Sequence, residues 1–406
     1  MTYDAIVIGA RAAGSPTAML LARKGYRVLA VDRATFPSDT LSTHVIHAPG
    51  VAALKRWGLL DALLESGCPA MTRYRLDFGP VVISGTSEPV EGTTTAYAPR
   101  RTVLDAVLVA GARAAGVEVR EDHNVDELLI EDGRVVGIRS GQREDRARIV
   151  IGADGRNSHV AKAVHAVDYN TKPRLQYSYY AYFSGLPTDQ FEIFIRPDRG
   201  FACAPTNDGQ TMIVAGWPYA EAQAYKADVE GNFLKTLQMA PEFAERVATA
   251  KRESPFLGGS VPSWFRQPYG DGWALVGDAG YNKDPITGQG ITDAFLDAER
   301  CTDAIHRWLG EGEDFDEAMG AWHHERDTKD LPIYEFTAQL ATLELPPPEM
   351  QQLLGAVQGN QEAMDGFVSV ISGAVSPADY FSEENVGRIF AASAAAAGPA
   401  LAGSDR

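Results

Sequence analysis

The stretch that decides the fold stands at the start of the chain, where residues 4–32 read DAIVIGARAAGSPTAMLLARKGYRVLAVD. The apolar run at residues 4–8 predicts a buried strand, and residues 15–24 predict a helix that a following glycine ends. Residues 26–31 then predict a second strand. A strand, a helix and a second strand in this order are typical of a parallel sheet.

The turn between the first strand and the helix predicts a site for a dinucleotide. A helix N-terminus has unpaired N–H groups and the positive end of its dipole, so it can hold a pyrophosphate. Asp32 closes the second strand, can accept a hydrogen bond from a ribose hydroxyl, and favours FAD or NAD over NADP. Arg11 replaces the usual middle glycine, so either the phosphate lies further away or the guanidinium contributes a charge-assisted contact. The residues predicted at this site are Gly9, Arg11, Ala12, Ala13, Gly14, Asp32 and Arg33.

Two later segments have the same strand-then-glycine character. Residues 152–158 read GADGRNS after the apolar run 147–152, and residues 277–290 read GDAGYNKDPITGQG after the run 273–277. In this order, the three motifs resemble those of the FAD-dependent monooxygenase (flavoprotein aromatic hydroxylase) superfamily. That superfamily includes halogenase-like and geranylgeranyl-reductase-like members.

The resemblance implies an FAD site and a role for particular residues in it. Asp278 would bond a ribityl hydroxyl, Pro285 would lie against the flavin ring, and the helix after Gly288 would face the edge where reduced flavin gathers negative charge. Arg101 would lie near the flavin or its phosphates, and Val125 would meet the adenine by its backbone. The remaining residues implied at the cofactor are Asp154, Gly155, Gly277, Gln289, Gly290 and Ile291. The chain has Ala161 where the family often has an arginine.

Composition agrees with a flavoenzyme of this kind. With 406 residues and 45% hydrophobic content, the chain can bury a large core and is expected to hold two domains. A net charge of −17 disfavours nucleic acid and anionic membranes as partners. No apolar run is long enough for a membrane span, and the immediate first strand leaves no room for a signal peptide, so a cytoplasmic location is expected. Cys68, Cys203 and Cys301 lack metal-site spacing and are expected to be buried.

The expected fold class is α/β with mixed α+β character. A Rossmann-like FAD-binding domain with a parallel sheet is interleaved with an antiparallel-sheet substrate domain and followed by a helical region. The strands of the second sheet are predicted at residues 74–78, 176–183, 191–196 and 211–215. The expected pieces are 1–72, 98–165 and 271–310 for the FAD-binding domain, 73–97 and 166–270 for the substrate domain, and 311–406 for the helical region, whose tail is expected to fray from Ala391.

The reaction is inferred from the absence of sequence patterns that are typical of the halogenases and reductases of this superfamily. Residues 200–205 read GFACAP, without the tryptophans typical of the halogenases, and the segment 36–44 lacks the cysteine frequent in the reductases. The resemblance then favours a monooxygenase of secondary metabolism, in which NADH or NADPH reduces FAD, oxygen adds at C4a, and the hydroperoxide hydroxylates or epoxidises an aromatic, polyketide-like or other electron-rich molecule. Reduction of a C=C bond is the alternative, and halogenation ranks below it. A non-catalytic binding protein is disfavoured because the motif at 277–290 is retained.

Candidate side chains for catalysis and substrate binding follow from residue type and position. His44 and His47 lie in the segment beside the expected flavin site and are candidate bases, with a structural histidine as the alternative for each. Aromatic residues of the second sheet could form a pocket, or could be plain core. The candidate pocket residues are Tyr180, Tyr182, Phe194, Arg196, Phe201 and Tyr281. The substrate, the choice between NADH and NADPH, and the oligomeric state are left open.

Overall fold

Residues 2–396 of the chain are described by a computed structural model. The strands, in chain order, are β1 Thr2–Ile8, β2 Val28–Val31, β3 Ala70–Met71, β4 Arg73–Asp77, β5 Val82–Gly85, β6 Ala96–Tyr97, β7 Glu118–Arg120, β8 Glu127–Glu131, β9 Arg134–Ser140, β10 Arg143–Gly152, β11 Asp168–Lys172, β12 Gln176–Ser184, β13 Gln190–Arg196, β14 Arg199–Pro205, β15 Thr211–Pro218, β16 Lys251–Arg252, β17 Leu257–Gly259, β18 Ser263–Arg266, β19 Tyr269–Gly270, β20 Trp273–Leu275 and β21 Tyr281–Asn282.

The α-helices are α1 Gly14–Arg23, α2 Ala48–Arg56, α3 Leu60–Glu65, α4 Arg101–Ala114, α5 His159–Ala163, α6 Ala222–Ala227, α7 Val229–Leu237, α8 Pro241–Ala248, α9 Gly290–His306, α10 Phe315–Ala341, α11 Pro348–Val357, α12 Gln361–Ser372, α13 Pro377–Tyr380 and α14 Glu383–Ala396. Short 3-10 turns occur at Asn207–Gly209, Tyr219–Glu221, Gly277–Ala279 and Pro285–Thr287, and a π-helical turn occurs at Arg307–Glu311.

The first sheet has the order β19-β20-β10-β1-β2-β7, and its central strands are parallel. β1 pairs in parallel with both β2 and β10, and β10 pairs in parallel with β20. Helix α1 connects β1 to β2, so the predicted strand–helix–strand unit is confirmed. Apolar side chains cover this sheet on both faces, which explains why β1 and β2 are continuous apolar runs rather than alternating ones.

The second sheet has the order β16-β12-β15-β14-β13-β4-β5, and β17 also pairs with β12. Its pairs are antiparallel except β4 with β13. All four strand predictions in this region are therefore confirmed, and the mixed α/β class is the one observed. Aromatic side chains of α7 and α8 pack in one apolar cluster with this sheet, and side chains of α11 and α12 pack in another.

Residues with left-handed backbone angles shape two local features. Asp132 at φ 49° and Gly133 at φ 82° form the turn between β8 and β9, and such a pair suits a tight hairpin. Gly58 at φ 68° separates α2 from α3. The tail is helical through Ala396, and residues 397–406 lie outside the described part of the chain.

Burial of the cysteines also follows the prediction, since Cys68, Cys203 and Cys301 are all buried. Across residues 2–396, no helix is both long enough and apolar enough to cross a membrane.

Candidate active site

The three glycine-containing motifs lie side by side at one edge of the first sheet. β1, β10 and β20 are neighbouring parallel strands, so the segments that follow them leave the sheet at the same carboxyl edge. The segments also touch, since a Cβ at Gly9 would lie 2.4 Å from the Ala153 carbonyl oxygen and one at Gly277 would lie 2.7 Å from Cβ of Ala13. Ligands of open α/β sheets bind at this edge. The structure therefore brings together motifs that are separated by more than a hundred residues in sequence.

The first motif leaves no space for larger residues at its two glycines. Gly9 has φ 100°, and a Cβ at Gly14 would lie only 1.7 Å from the Gly9 carbonyl oxygen. Gly14 starts α1, and Ala12 and Ala13 precede it as buried residues. The backbone can consequently fold tightly over the start of α1, whose first N–H groups have no acceptor within the helix.

Asp32 lies where the sequence predicted it, at the end of β2, but its carboxylate also has protein partners. Oδ2 accepts a hydrogen bond from Ala10 N at 2.7 Å, and Oδ1 accepts one from Ala34 N at 2.8 Å. The neighbouring Arg33 side chain is exposed. His123 N donates to the Asp32 carbonyl oxygen, which brings the segment ending at Val125 to the same strand end. Asp32 thus fixes the glycine turn, and each of its oxygens retains a lone pair for a ribose hydroxyl.

Arg11 and Arg101 share one buried carboxylate. Arg11 Nη1 lies 2.5 Å from Asp105 Oδ2, and Arg101 Nη2 lies 2.8 Å from Asp105 Oδ1. Arg11 also donates to Ser38 Oγ at 2.8 Å. Two guanidinium groups against one carboxylate leave a net positive charge beside the glycine turn, and such a charge favours a bound phosphate. This arrangement supports the second of the two alternatives for Arg11.

The middle motif organises its own short helix. Asp154 Oδ2 accepts hydrogen bonds from His159 N at 2.6 Å and Val160 N at 3.2 Å, and Ser158 Oγ accepts one from Ala161 N at 2.9 Å. Gly155 has φ 76°, as this turn requires. The other carboxylate oxygen of Asp154, Oδ1, is buried and has no hydrogen-bond partner among residues 2–396. An unpaired buried acceptor of this kind is suited to a hydroxyl of a bound group.

The third motif turns from β20 into the long helix α9. Gly277 N donates to Asp297 Oδ2 at 2.9 Å, and Gly288 at φ 66° ends the Pro285–Thr287 turn immediately before Gln289, Gly290 and Ile291 start the helix. The Asp278 side chain is solvent-accessible, yet the protein around it desolvates the carboxyl group and raises its pKa to about 6, against the opposing charge of Arg101. Asp278 is thus an accessible acceptor at the centre of the site.

A buried ion pair behind this motif was missed in the sequence. Lys283 Nζ lies 2.8 Å from Asp293 Oδ2 and donates to Gln289 Oε1 at 2.7 Å, and Gln289 Nε2 donates to the Ile371 carbonyl oxygen at 2.9 Å. The side chain of Gln289 is therefore occupied by protein partners, and only its backbone remains available to a ligand. The signal in the sequence was a lysine inside a glycine-rich motif, with an aspartate in the first turn of the following helix.

His47 is a structural residue in this arrangement. Its Nε2 lies 3.0 Å from the Thr287 carbonyl oxygen, which can only accept, so Nε2 carries the hydrogen and Nδ1 accepts from the Tyr74 hydroxyl at 2.8 Å. Burial lowers the pKa of His47 to about 4. Both ring nitrogens are occupied, so this neutral ring supports the Pro285–Thr287 turn and has no free lone pair for a substrate proton.

His44 is buried in a different cluster. Its Nε2 hydrogen-bonds the Tyr182 hydroxyl, whereas its Nδ1 has no partner among residues 2–396. Burial, helped by the charge of Arg101, lowers its pKa to about 3. Arg100 lies 4.0 Å above the Tyr182 ring. His44 is consequently neutral, and of the two histidines it is the one that retains an unpaired ring nitrogen.

An apolar cavity of about 190 Å³ adjoins the Pro285–Thr287 turn, between the second sheet and the C-terminal helices. Phe194 and Phe201 line it, as do Phe336, Leu354 and Phe367 from α10, α11 and α12. The other candidate pocket residues lie elsewhere: Tyr180 and Tyr182 beside His44, Arg196 in an ion pair with Asp77 at 2.9 Å, and Tyr281 against Phe265. The helical contributors were missed because their pattern is that of ordinary core helices.

These features together fit FAD. The tight glycine turn and the start of α1 suit a diphosphate, the accessible Asp278 carboxylate and the unpaired Asp154 Oδ1 suit ribityl or ribose hydroxyls, and the start of α9 suits the electron-rich edge of a flavin. The apolar cavity next to Pro285 then lies where a substrate could meet the ring.

Comparison with known proteins gives a family and several relatives. The family described as FAD binding domain matches residues 2–327. Digeranylgeranylglycerophospholipid reductase 1 of Methanopyrus kandleri is 28% identical over 397 residues, which cover 90% of this chain and 97% of that protein. The 6-methylpretetramide 4-monooxygenase of Streptomyces rimosus is 26% identical over 344 residues, which cover 76% of this chain and 75% of that protein.

The fold has close counterparts among solved structures. That of the flavin-dependent brominase Bmp2 superposes with a TM-score of 0.80 at 18% identity, covering 98% of this chain and 99% of that one. At this identity the likeness concerns the fold alone, and it extends through both sheets and the C-terminal helices.

Proposed function

The chain belongs to the FAD binding domain family and is an FAD-dependent oxidoreductase, and from this premise we propose that it is a monooxygenase that uses NADH or NADPH. The proposed substrate is an apolar, electron-rich small molecule, aromatic or polyketide-like, that is hydroxylated or epoxidised. For a hydroxylation the balance is one NAD(P)H, one O₂, one proton and one substrate C–H giving NAD(P)⁺, water and the C–OH product.

The observation that carries this proposal is the compact apolar cavity beside the Pro285–Thr287 turn. Its volume of about 190 Å³ and its phenylalanine-rich wall suit a ring-containing substrate. Both the second sheet and the C-terminal helices supply its mostly apolar walls. Apolar walls hold few water molecules, which would protect an oxygen-transferring reaction from wasteful side reactions.

The residues of the chain have binding and orienting roles in this proposal. The glycine turn of residues 9–14, together with Arg11 and Arg101, would hold the diphosphate, and Asp278 would hold the ribityl chain. The N-terminus of α9 would stabilise negative charge at the edge of the ring. When bound, FAD supplies the hydride acceptor for NAD(P)H and the centre that activates oxygen. No step requires His47, whose ring nitrogens are both occupied.

Reduction of a C=C bond is the second candidate, and the identity to the Methanopyrus kandleri reductase over 97% of its length favours it. In that reaction NAD(P)H and a proton would saturate the double bond, and oxygen would take no part. The segment 36–44 lacks the cysteine frequent in the reductases, which is why monooxygenation ranks first.

Two measurements on the purified holoprotein separate these candidates. FAD content is read from the flavin absorbance of the protein and of its Asp278→Asn variant, which is expected to bind FAD more weakly. NADH and NADPH oxidation are then followed in air and anaerobically with a panel of phenols, naphthols and prenyl alcohols. Oxygen uptake stimulated by a substrate, with a product heavier by one oxygen atom, supports the monooxygenase. Anaerobic turnover to a product heavier by two hydrogen atoms would instead establish the reductase.

A further inference from the structure

A glutamine in the wall of the apolar cavity is held in one orientation. Gln176 begins β12, is 4% exposed, and lines the cavity. Its Nε2 donates a hydrogen bond to Asp284 Oδ1, and Asp284 Oδ1 also accepts one from Ile286 N at 3.0 Å. Since Nε2 faces Asp284, the amide oxygen of Gln176 points away from this carboxyl group.

On the neighbouring strand β15, only a glycine leaves room for this amide oxygen. Gly216 of β15 also lines the cavity, and a Cβ placed on it would lie 2.3 Å from Gln176 Oε1. A glycine here therefore makes the space that Oε1 occupies. Among residues 2–396 no hydrogen bond is donated to Oε1, and Gln176 and Gly216 are both among the residues that line the cavity.

An acceptor with this setting discriminates between ligands. A cavity group that is fixed, surrounded by apolar walls and unpaired gains a hydrogen bond only from a ligand that carries a donor, and it is left desolvated by a ligand that does not. Asp284 directly precedes Pro285. A hydrogen-bond donor of the ligand would therefore meet Gln176 Oε1 at the end of the cavity where the flavin ring is proposed to lie.

We propose that Gln176 Oε1 is the acceptor that determines substrate specificity, that Asp284 is its positioning residue, and that the substrate class is neutral apolar molecules with a hydroxyl group at the flavin end. This inference rests on the proposed function in placing the substrate in this cavity. The contact orients the hydroxyl-bearing part of the substrate, and it requires no charge on the ligand.

The test is equilibrium binding to the oxidised holoenzyme, without NAD(P)H, by isothermal titration calorimetry. The probes are 1-naphthol and 1-methylnaphthalene, which have similar shapes and differ in the hydroxyl donor. The wild type is expected to bind 1-naphthol about 5–10-fold more tightly. In Gln176→Leu the ratio of the two affinities is expected to fall to about 1. Gly216→Ala keeps the glutamine but should also lower the ratio, because the new methyl group displaces Oε1.

The matched control is Gln339→Leu, which makes the same chemical change elsewhere in the cavity wall and should leave the ratio unchanged. A wild-type ratio near 1, or a ratio that survives in Gln176→Leu, would overturn the inference, as would an equal loss in Gln339→Leu. The binding experiment measures no turnover, so it is independent of the proposed reaction. If the wild type prefers 1-naphthol as expected but shows no substrate-stimulated oxygen uptake, the proposed reaction is rejected and this inference stands.

Discussion

At Gly14, a single added methyl group would meet the backbone of the preceding turn. Its Cβ would lie 1.7 Å from the Gly9 carbonyl oxygen, a distance that no side-chain rearrangement can relieve. We expect Gly14→Ala to lose FAD and to lower the free energy of unfolding by about 1–3 kcal/mol, the usual cost of overpacking. Flavin content and thermal unfolding measure both effects.

The control for this substitution is Gly355→Ala in α11, where no atom lies within 4 Å of the added Cβ. It should stabilise the protein by about 0.5–1 kcal/mol, because alanine is the better helix former. A Gly14→Ala protein with full flavin content and unchanged stability would show that the turn is looser than described.

A second single residue, Asp284, predicts that the free energy of unfolding depends on pH. Burial raises its pKa to about 7, so between about pH 4 and 7 the native state holds a proton that the unfolded state has lost, and stability falls as the pH rises. Asp284→Asn cannot ionise and keeps an oxygen for Ile286 N. We expect the wild type to lose about 2–4 kcal/mol relative to this variant between pH 4 and 8. Denaturant unfolding at several pH values measures this, and parallel curves would contradict it.

How far single residues could be predicted depended on the range of their contacts. The glycines and Asp278 belong to short motifs whose geometry is local, and the sequence sufficed to place them directly after apolar strands. The role of Arg11 stayed open because its partner, Asp105, lies 94 residues away. The same holds for Gln176, whose partner is 108 residues away.

Among the elements, the Pro285–Thr287 turn depends on a histidine from a distant segment. His47 Nε2 donates to the Thr287 carbonyl oxygen while Nδ1 accepts from Tyr74. Tyr74→Phe leaves Nδ1 buried and unpaired, and we expect it to lower the free energy of unfolding by about 1–3 kcal/mol. The pH profile of kcat should keep its shape, because the ring is structural.

Denaturant unfolding and the pH–rate profile distinguish this role from base catalysis. Tyr219→Phe, at a tyrosine that is 41% exposed, is the control and should change neither measurement. If Tyr74→Phe shifted a kinetic pKa and left stability unchanged, His47 would be acting as a base after all.

The second sheet shows what strand prediction could and could not supply. Tyr180 and Tyr182 share a face of β12 with the cavity residues Gln176 and Ser178, as the alternation of side chains along a strand requires. However, at a rise of about 3.3 Å per residue, Tyr182 lies about 20 Å along the strand from Gln176. It meets His44 rather than the cavity. Period-two patterning gives the face of a strand, whereas the position of the cavity along it is set by elements that are distant in sequence.

For the whole molecule, the C-terminal helices complete the site that the flavin-binding motifs begin. α10, α11 and α12 supply one wall of the cavity, and Gln289 at the start of α9 donates to Ile371 in α12. The sequence predicted a helical region here but not its contacts, because amphipathic helices do not specify the surface against which they pack. The region is thereby linked to Lys283 and to the third motif.

Substitution of Lys283 therefore tests how much its ion pair with Asp293 stabilises the protein behind the third motif. Its side chain is buried and pairs with Asp293, whose side chain keeps 18% exposure. Lys283→Met leaves that carboxylate without its cation and Gln289 Oε1 without its donor. We expect a loss of about 2–3 kcal/mol, less than the 3–5 kcal/mol typical of a fully buried pair because water still reaches Asp293. Denaturant unfolding measures this loss.

The double variant Lys283→Met with Asp293→Leu should recover most of the stability, since it replaces the pair by apolar groups instead of breaking it. Lys329→Met is the control, because Lys329 and Glu325 form an exposed pair worth about 0.5 kcal/mol or less. If Lys283→Met cost no more than Lys329→Met, or if the two substitutions in the double variant were additive, this pair would stabilise the protein no more than a surface pair does. A large loss with recovery in the double variant would instead show that the cost of Lys283→Met is that of an Asp293 carboxylate left without its cation behind the third motif.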